Sequence, residues 1–188
     1  YALSRYNFPG KTFVDALLEL PLIISPVALG AALLIFFNTR AGELIQNNFM
    51  SFVFEIRGII LAQFVTSAGV ATRMIKSSLD EISPRYEMVA RSLGATPFKS
   101  FMTVTFPLAR KGILASAMIT FAKCIGEFGA TVTLAGSMPM KTETLPISIY
   151  LRLAGADIEG TVVFILILLT LGLAINMVSR SLGLVKYD

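Results

Sequence analysis

The stretch GTVVFILILLTLGLAINMVS, residues 160–179, decides the fold class because it runs for 20 residues without a charge. A helix rises about 1.5 Å per residue, so this length crosses the hydrocarbon core of a bilayer. Across the chain, 55% of the residues are hydrophobic, only 15% are charged, and the mean hydropathy is +0.74. A soluble protein needs more polar side chains to cover its surface. The sequence therefore predicts an all-α, polytopic transmembrane helical bundle.

A second uncharged stretch, LPLIISPVALGAALLIFF, covers residues 20–37 and is 18 residues long. It predicts another transmembrane helix. Pro21 and Pro26 lie within it, and each removes a backbone hydrogen bond from a helix, so we expect a bend or a break. Small neighbours such as Gly30 permit close packing there, and a static kink is favoured over a moving hinge.

Two further stretches are apolar but less uniform. Residues 58–72 are uncharged over only 15 positions, so they span a bilayer only if residues 52–57 extend them. Residues 112–138 are long enough but carry Lys123 and Glu127 in their middle, which predicts a polar or a broken span. With the two uncharged stretches, the chain is expected to cross the membrane four times.

Four crossings put the N-terminus, residues 76–111 and the C-terminus on one side of the membrane. That side carries eleven lysines and arginines, from Arg5 to Lys186, and the other side carries four. Because basic loop residues stay in the cytoplasm, residues 76–111 and the C-terminus are predicted to be cytoplasmic. Residues 1–188 are expected to form one membrane domain. Their start, YALSRYNFPGK, is typical of the polar exit of a span, so we expect one or two further spans before it.

The residue types present limit the chemistry. The chain has no histidine and a single cysteine, Cys124, so a zinc site, a histidine base and a disulfide framework are not expected. No GxxxxGK[ST] loop occurs, so the chain cannot hydrolyse ATP by that route. The net charge of +4 is explained by basic residues beside apolar spans rather than by nucleic-acid binding. We therefore predict no catalytic residue, no metal site and no cofactor in this chain.

The segment EMVARSLGATPFKSFMTVTFPLARKGI, residues 87–113, separates two apolar stretches. Ser83-Pro84 and Thr96-Pro97 are helix-start signals, and Gly94 can form the corner between two short helices. Each helix has one apolar face, made of Tyr86, Val89, Ala90 and Leu93 in the first and of Phe98, Phe101, Met102 and Thr105 in the second. Periodicity leaves two alternatives open: a hairpin packed on the protein's own helix ends, or a surface that docks on a partner.

This segment resembles the cytoplasmic loop of permease subunits of type I ATP-binding-cassette importers. Their pattern is E-A-A, three residues, G, nine residues and I-x-L-P, and it aligns here with Val89, Ala90, Gly94 and Val104. Met88 occupies the usual glutamate position. The resemblance implies a coupling helix that sits in a cleft of an ATPase subunit, and it assigns this contact to Glu87, Met88, Val89, Ala90, Gly94, Ala95, Pro97 and Pro107.

The resemblance also implies the partners of the chain. They are two ATP-binding-cassette ATPase subunits that use ATP and Mg, an extracytoplasmic oxyanion-binding protein, and the lipid bilayer. Because a pathway between spans is easiest to build at a symmetric interface, we also expect a second copy of the permease. Residues 15–34 and 123–153 are similar to permeases for molybdate and tungstate, with the sulfate permeases as close relatives. Molybdate or tungstate is the expected substrate, and sulfate is the alternative.

A tetrahedral oxyanion is bound by N–H and O–H donors, so hydroxyl groups within the spans are candidates for its path. Such hydroxyls also bond to their own helix or join neighbouring helices, and this is the alternative for each of them. The candidates are Ser25, Thr66, Ser67, Ser116, Thr120, Thr131 and Thr133.

Lys123 and Glu127 stand apart from these hydroxyls, because a charge at mid-span costs about 2.5–3.5 kcal/mol on insertion scales. Their i, i+4 spacing allows them to pair with each other. The functional alternative is that Lys123 attracts the anion while Glu127 and the flexible Gly126 and Gly129 form a gate. In an ion-coupled secondary transporter, a different class, the pair would be a relay, but that reading leaves the coupling segment unexplained.

Overall fold

The computed structural model describes residues 1–181, and within them it contains helices and no strand, so the all-α prediction is confirmed. The helices are α1 (Ala2–Arg5), α2 (Lys11–Ile23), α3 (Pro26–Phe37), α4 (Arg40–Asn48), α5 (Ile56–Asp80), α6 (Pro84–Ser92), α7 (Pro97–Ser100), α8 (Phe106–Ile125), α9 (Gly129–Ala135), α10 (Leu145–Ala154) and α11 (Ile158–Ser181). A π-helical turn, Phe101–Thr105, joins α7 to α8.

Two helices, α5 and α11, are long and apolar enough to cross a membrane. Two bent pairs, α2 with α3 and α8 with α9, qualify when each pair counts as one span. The predicted four crossings require that each bent pair is one span. The predicted helix over residues 160–179 lies inside α11. The C-terminus and Lys186, which were predicted to be cytoplasmic, lie outside the described residues.

The bend or break expected within residues 20–37 is present. The chain turns by 111° between α2 and α3. The turn follows from Ser25 and Pro26: the serine Oγ accepts a hydrogen bond from Ala28 N at 3.3 Å, and the proline occupies the first turn of α3. Pro21 lies inside α2 and does not cause the break.

Of residues 52–57, which were expected to extend the apolar stretch 58–72, only Ile56 and Arg57 lie in the helix. Helix α5 begins at Ile56 and obtains its length at the other end, where it continues to Asp80. Phe54 has a φ of 56°, a left-handed conformation that no α-helix contains, and its N–H donates to the carbonyl of Leu134 at 3.2 Å.

The core lies where α3, α5 and α9 meet, and it includes Ala62, Ala130 and Leu134. At the crossing of α3 and α9, a Cβ added to Gly30 would lie 2.7 Å from Ala130 Cα, so only glycine allows the helices to come this close. Of the two alternatives for residues 112–138, a polar or a broken span, the structure shows the broken one, since α8 and α9 meet at 58°. The short second half of this broken span is thus the buried centre of the molecule.

Candidate coupling surface and translocation path

The turn between α6 and α7 has the predicted caps and corner. Ser83 Oγ accepts a hydrogen bond from Arg85 N at 3.4 Å, and Thr96 Oγ1 accepts one from Lys99 N at 3.2 Å. Gly94 has a φ of 91°, which L-residues rarely adopt. Local sequence signals therefore determine both helix starts and the change of direction between them.

The second short helix of this segment is not a separate element, which corrects the prediction of a two-helix hairpin. Residues 97–125 run as one continuous helical stretch, with the π-helical turn in place of a loop. Pro107 lies two residues after the end of this turn, in the first turn of α8. Proline lacks an N–H and crowds the preceding turn, and a wider π-helical turn accommodates it without ending the helix. The coupling segment is therefore joined to the span α8 by helix.

The apolar face of α6 is exposed. Tyr86 is 57% exposed, Val89 60% and Leu93 84%, and Phe98 on α7 is 70% exposed. These apolar side chains are therefore not buried against the protein's own helix ends. Met88, Pro97 and Pro107 are also exposed, whereas Ala90 and Ala95 are partly buried.

Glu87 lies on the opposite side of α6 and is only 8% exposed. Its carboxylate accepts hydrogen bonds from Tyr1 Oη at 2.6 Å, Arg5 Nε at 2.8 Å and Thr105 Oγ1 at 2.7 Å. Burial alone would raise the pKa of this carboxyl, but the hydrogen bonds from Tyr1, Thr105 and Arg5, with the charge of Arg5, hold it below its ordinary value. Burial and the bond to Glu87 raise the pKa of Tyr1 to about 12.

Sequence reasoning grouped Glu87 with the ATPase contacts and missed Tyr1, Arg5 and Thr105. The available signal was Arg5, because a basic side chain next to apolar segments needs an acidic partner. Thr105 was assigned to an apolar face, yet it is fully buried and donates to Glu87. Side chains that lie 82 positions apart in the sequence, such as Arg5 and Glu87, give no local pattern.

Most of the predicted path hydroxyls are satisfied within their own helices. Thr66 and Ser67 donate to the carbonyl of Gln63, and Ser25 caps α3. Ser116 Oγ likewise donates to the carbonyl of Gly112, and Thr133 Oγ1 donates to the carbonyl of Gly129. Two candidates differ, because the Oγ1 atoms of Thr120 and Thr131 are buried without a hydrogen-bond partner among residues 1–181.

Lys123 and Glu127 form the predicted pair, with Nζ 3.8 Å from Oε2. Glu127 is 5% exposed, and its Oε1 also accepts a hydrogen bond from Ala130 N at 3.0 Å, so it caps the first turn of α9. Gly126 ends α8 at the break. Gly129 packs tightly, since a Cβ there would lie 2.8 Å from a side-chain atom of α3. The charged pair thus stabilises the broken span at its break.

The structure does not bring the path candidates together in one cavity. A surface cavity of about 340 Å³ between α5 and α8 is lined by Gln63, Ser67, Phe121 and Cys124, among others. Of the predicted path residues, its lining includes Ser67. Thr131 is fully buried in the core, away from this surface.

The chain is similar in sequence to known transport proteins. Residues 1–183 match the model of the family described as binding-protein-dependent transport system inner membrane component. The chain is 38% identical over 153 residues to the molybdenum transport system permease protein ModB of Escherichia coli (strain K12), which covers 80% of this chain and 67% of that protein.

Two further relatives are similar to the chain at somewhat lower identity. The ModB protein of Haemophilus influenzae (strain ATCC 51907 / DSM 11121 / KW20 / Rd) is 35% identical over 153 residues, 80% of this chain and 67% of that protein. The sulfate transport system permease protein CysT of Escherichia coli (strain K12) is 33% identical over 159 residues, 84% of this chain and 57% of that protein. With its apolar helices and bent spans, the chain is a multi-pass membrane protein that belongs to the family of binding-protein-dependent transport system inner membrane components.

Proposed function

We propose that this chain is the membrane-spanning permease subunit of an ATP-driven importer for a tetrahedral oxyanion, molybdate or tungstate. In this role it passes the anion from an extracytoplasmic binding protein into the cytoplasm. The relatives at 38% and 35% identity are named molybdenum transport system permeases, which supports this substrate class. The relative at 33% identity is named a sulfate permease, and sulfate is therefore the second candidate.

One observation carries the proposal: the exposed apolar face of α6 beside the Gly94 corner. Val89 and Leu93 expose most of their surface. Burying a large apolar side chain contributes about 1.5–3 kcal/mol, so this face favours a protein partner. The position of the face in the E-A-A pattern supports the ATPase subunit as that partner.

The assembly follows from the same role. ATP and Mg are used by two ATPase subunits, residues 76–111 face the cytoplasm, and two copies of the permease enclose the path. The position of α1 supports this sidedness, because Arg5 contacts Glu87 and both therefore lie at one end of the molecule. The positive bias of that end agrees with it.

The test is uptake of labelled molybdate into proteoliposomes that contain the permease, its ATPase and the binding protein. We expect uptake that requires ATP, with sulfate as the competing substrate. Val89→Glu should reduce co-purification of the ATPase, because it places a charge in an apolar contact. Leu44→Glu is the matched control, since Leu44 is 56% exposed on α4, outside the coupling segment. Uptake driven by an ion gradient without ATP would refute the proposal and favour a secondary transporter.

A further inference from the structure

The carboxylate of Glu87 joins three parts of the chain that lie far apart in sequence. Oε1 accepts from Arg5 Nε at 2.8 Å and from Thr105 Oγ1 at 2.7 Å, and Oε2 accepts from Tyr1 Oη at 2.6 Å. The side chains of Arg5 and Glu87 are 7% and 11% exposed. Charge-assisted hydrogen bonds in such a buried setting are stronger and more directional than those at a surface. The cluster therefore holds α1, α6 and the π-helical turn in one arrangement.

Further contacts extend this cluster to both spans that flank α6. Arg5 Nη2 donates to the carbonyl of Ile82, in the connection that follows α5, at 2.8 Å. Ser100 Oγ donates to the carbonyl of Glu87 at 3.3 Å, and the ring of Tyr1 packs edge-on against Phe101 at 4.8 Å. Rotation of α6 relative to α5 or to the base of α8 would break several of these contacts at once.

The two sides of α6 thus differ in kind. Its apolar side chains, Val89 and Leu93 among them, point outward and are free to contact a partner, whereas Glu87 points inward and contacts the rest of the molecule. A partner that moved α6 would move the spans only if α6 were fixed to them. The π-helical turn is an irregular point at which the helix could bend instead, and Thr105 ties that point to Glu87.

We propose that Glu87 is a positioning residue that acts through Arg5, Tyr1 and Thr105 and converts motion of the docked coupling helix into motion of α5 and α8. The proposal rests on the proposed function as an ATP-driven permease. It assigns Glu87 to transmission inside the permease rather than to contact with the ATPase. It also gives helix α1 a part in coupling, because α1 supplies Arg5, the cationic member of the cluster.

The test compares Glu87→Gln and Arg5→Met with the parent in the reconstituted complex with ATPase and binding protein. The matched control is Glu81→Gln, a change at an exposed glutamate in the same connection. We measure ATPase co-purification and the anion imported per ATP hydrolysed. Both variants should keep the ATPase bound, because the outward face of α6 is unchanged, and should lower the transport ratio by at least about fivefold, the low end of coupling between distant sites.

The double variant should be no worse than either single variant, since both remove the same interaction. A transport ratio equal to that of the parent in Glu87→Gln, or loss of the bound ATPase, would overturn the inference. If neither charge variant yields a folded permease, Tyr1→Phe and Thr105→Val each remove one hydrogen bond, and an unchanged ratio in both would overturn the inference. A parent complex without ATP-driven uptake refutes the proposed function itself, which separates the two failures.

Discussion

Two double variants at Lys123 and Glu127 distinguish the roles of the two contacts that Glu127 makes at the break between α8 and α9. Its Oε2 lies 3.8 Å from Lys123 Nζ, and its Oε1 accepts from Ala130 N at 3.0 Å. Lys123→Met with Glu127→Leu removes both contacts. Lys123→Met with Glu127→Gln removes the charges but keeps an oxygen that can accept from Ala130. The two double variants therefore differ in the cap of α9 and not in charge.

The expected losses of stability can be ranked. Stranding one member of a buried pair costs about 3–5 kcal/mol, and Lys123→Met alone should approach the lower value because the Lys123 side chain is 34% exposed. Neither double variant leaves a buried charge unpaired. Loss of a helix cap costs about 1 kcal/mol, so the variant with Glu127→Leu should be less stable than the variant with Glu127→Gln by that amount. Residual activity after heating in detergent measures this order.

Uptake and basal ATP hydrolysis then test the predicted gate. If Glu127 takes part in gating, the variant with Glu127→Gln should assemble normally, because its cap is retained, yet import the anion more slowly or hydrolyse ATP without substrate. Lys123 is then mainly the partner of Glu127. Uptake and basal ATPase activity equal to those of the parent in this variant would refute the gating role and leave the pair with its structural contacts alone.

Three other predictions follow from the backbone and from the Glu87 cluster. Gly94→Val should uncouple ATP hydrolysis from transport, because a φ of 91° is strained for L-residues by about 1–2 kcal/mol. The control Gly10→Val, with a φ of 86° and equally open surroundings, should not uncouple them. Normal transport by Gly94→Val would contradict this prediction. Gly30→Ala should lower the midpoint of thermal unfolding, because overpacking between α3 and α9 costs about 1–3 kcal/mol. The control Gly172→Ala should leave the midpoint unchanged, since an added Cβ there meets no atom within 4 Å. Equal midpoints for the two variants would argue against the close crossing of α3 and α9. The pKa of Glu87 in the folded protein lies below the ordinary value of 4.5, so its contribution to stability is present above that pH and is lost as the pH falls below it. Glu87→Gln should therefore make thermal inactivation less sensitive to acid. An unchanged pH profile of inactivation would speak against this prediction.

The sequence by itself determined the features that depend on neighbouring residues. The uncharged run of residues 160–179 became a helix because a bilayer leaves backbone groups no other partner. Ser83, Thr96 and Gly94 formed two caps and a corner because each acts on atoms within a few residues of itself. The pairing of Lys123 with a carboxylate four residues later is equally local.

Only the tertiary structure decided how these pieces meet. The break at Pro26 was expected, but its 111° angle depends on how α2 and α3 pack against α5 and α9. The start of α5 depends on Phe54, whose N–H bonds to a carbonyl of α9. The inward direction of Glu87 depends on Arg5, which approaches it only after the chain has folded back from α5. Contacts between residues so far apart in sequence have no periodicity, and they form only where helices that each satisfy their own backbone hydrogen bonds are packed together.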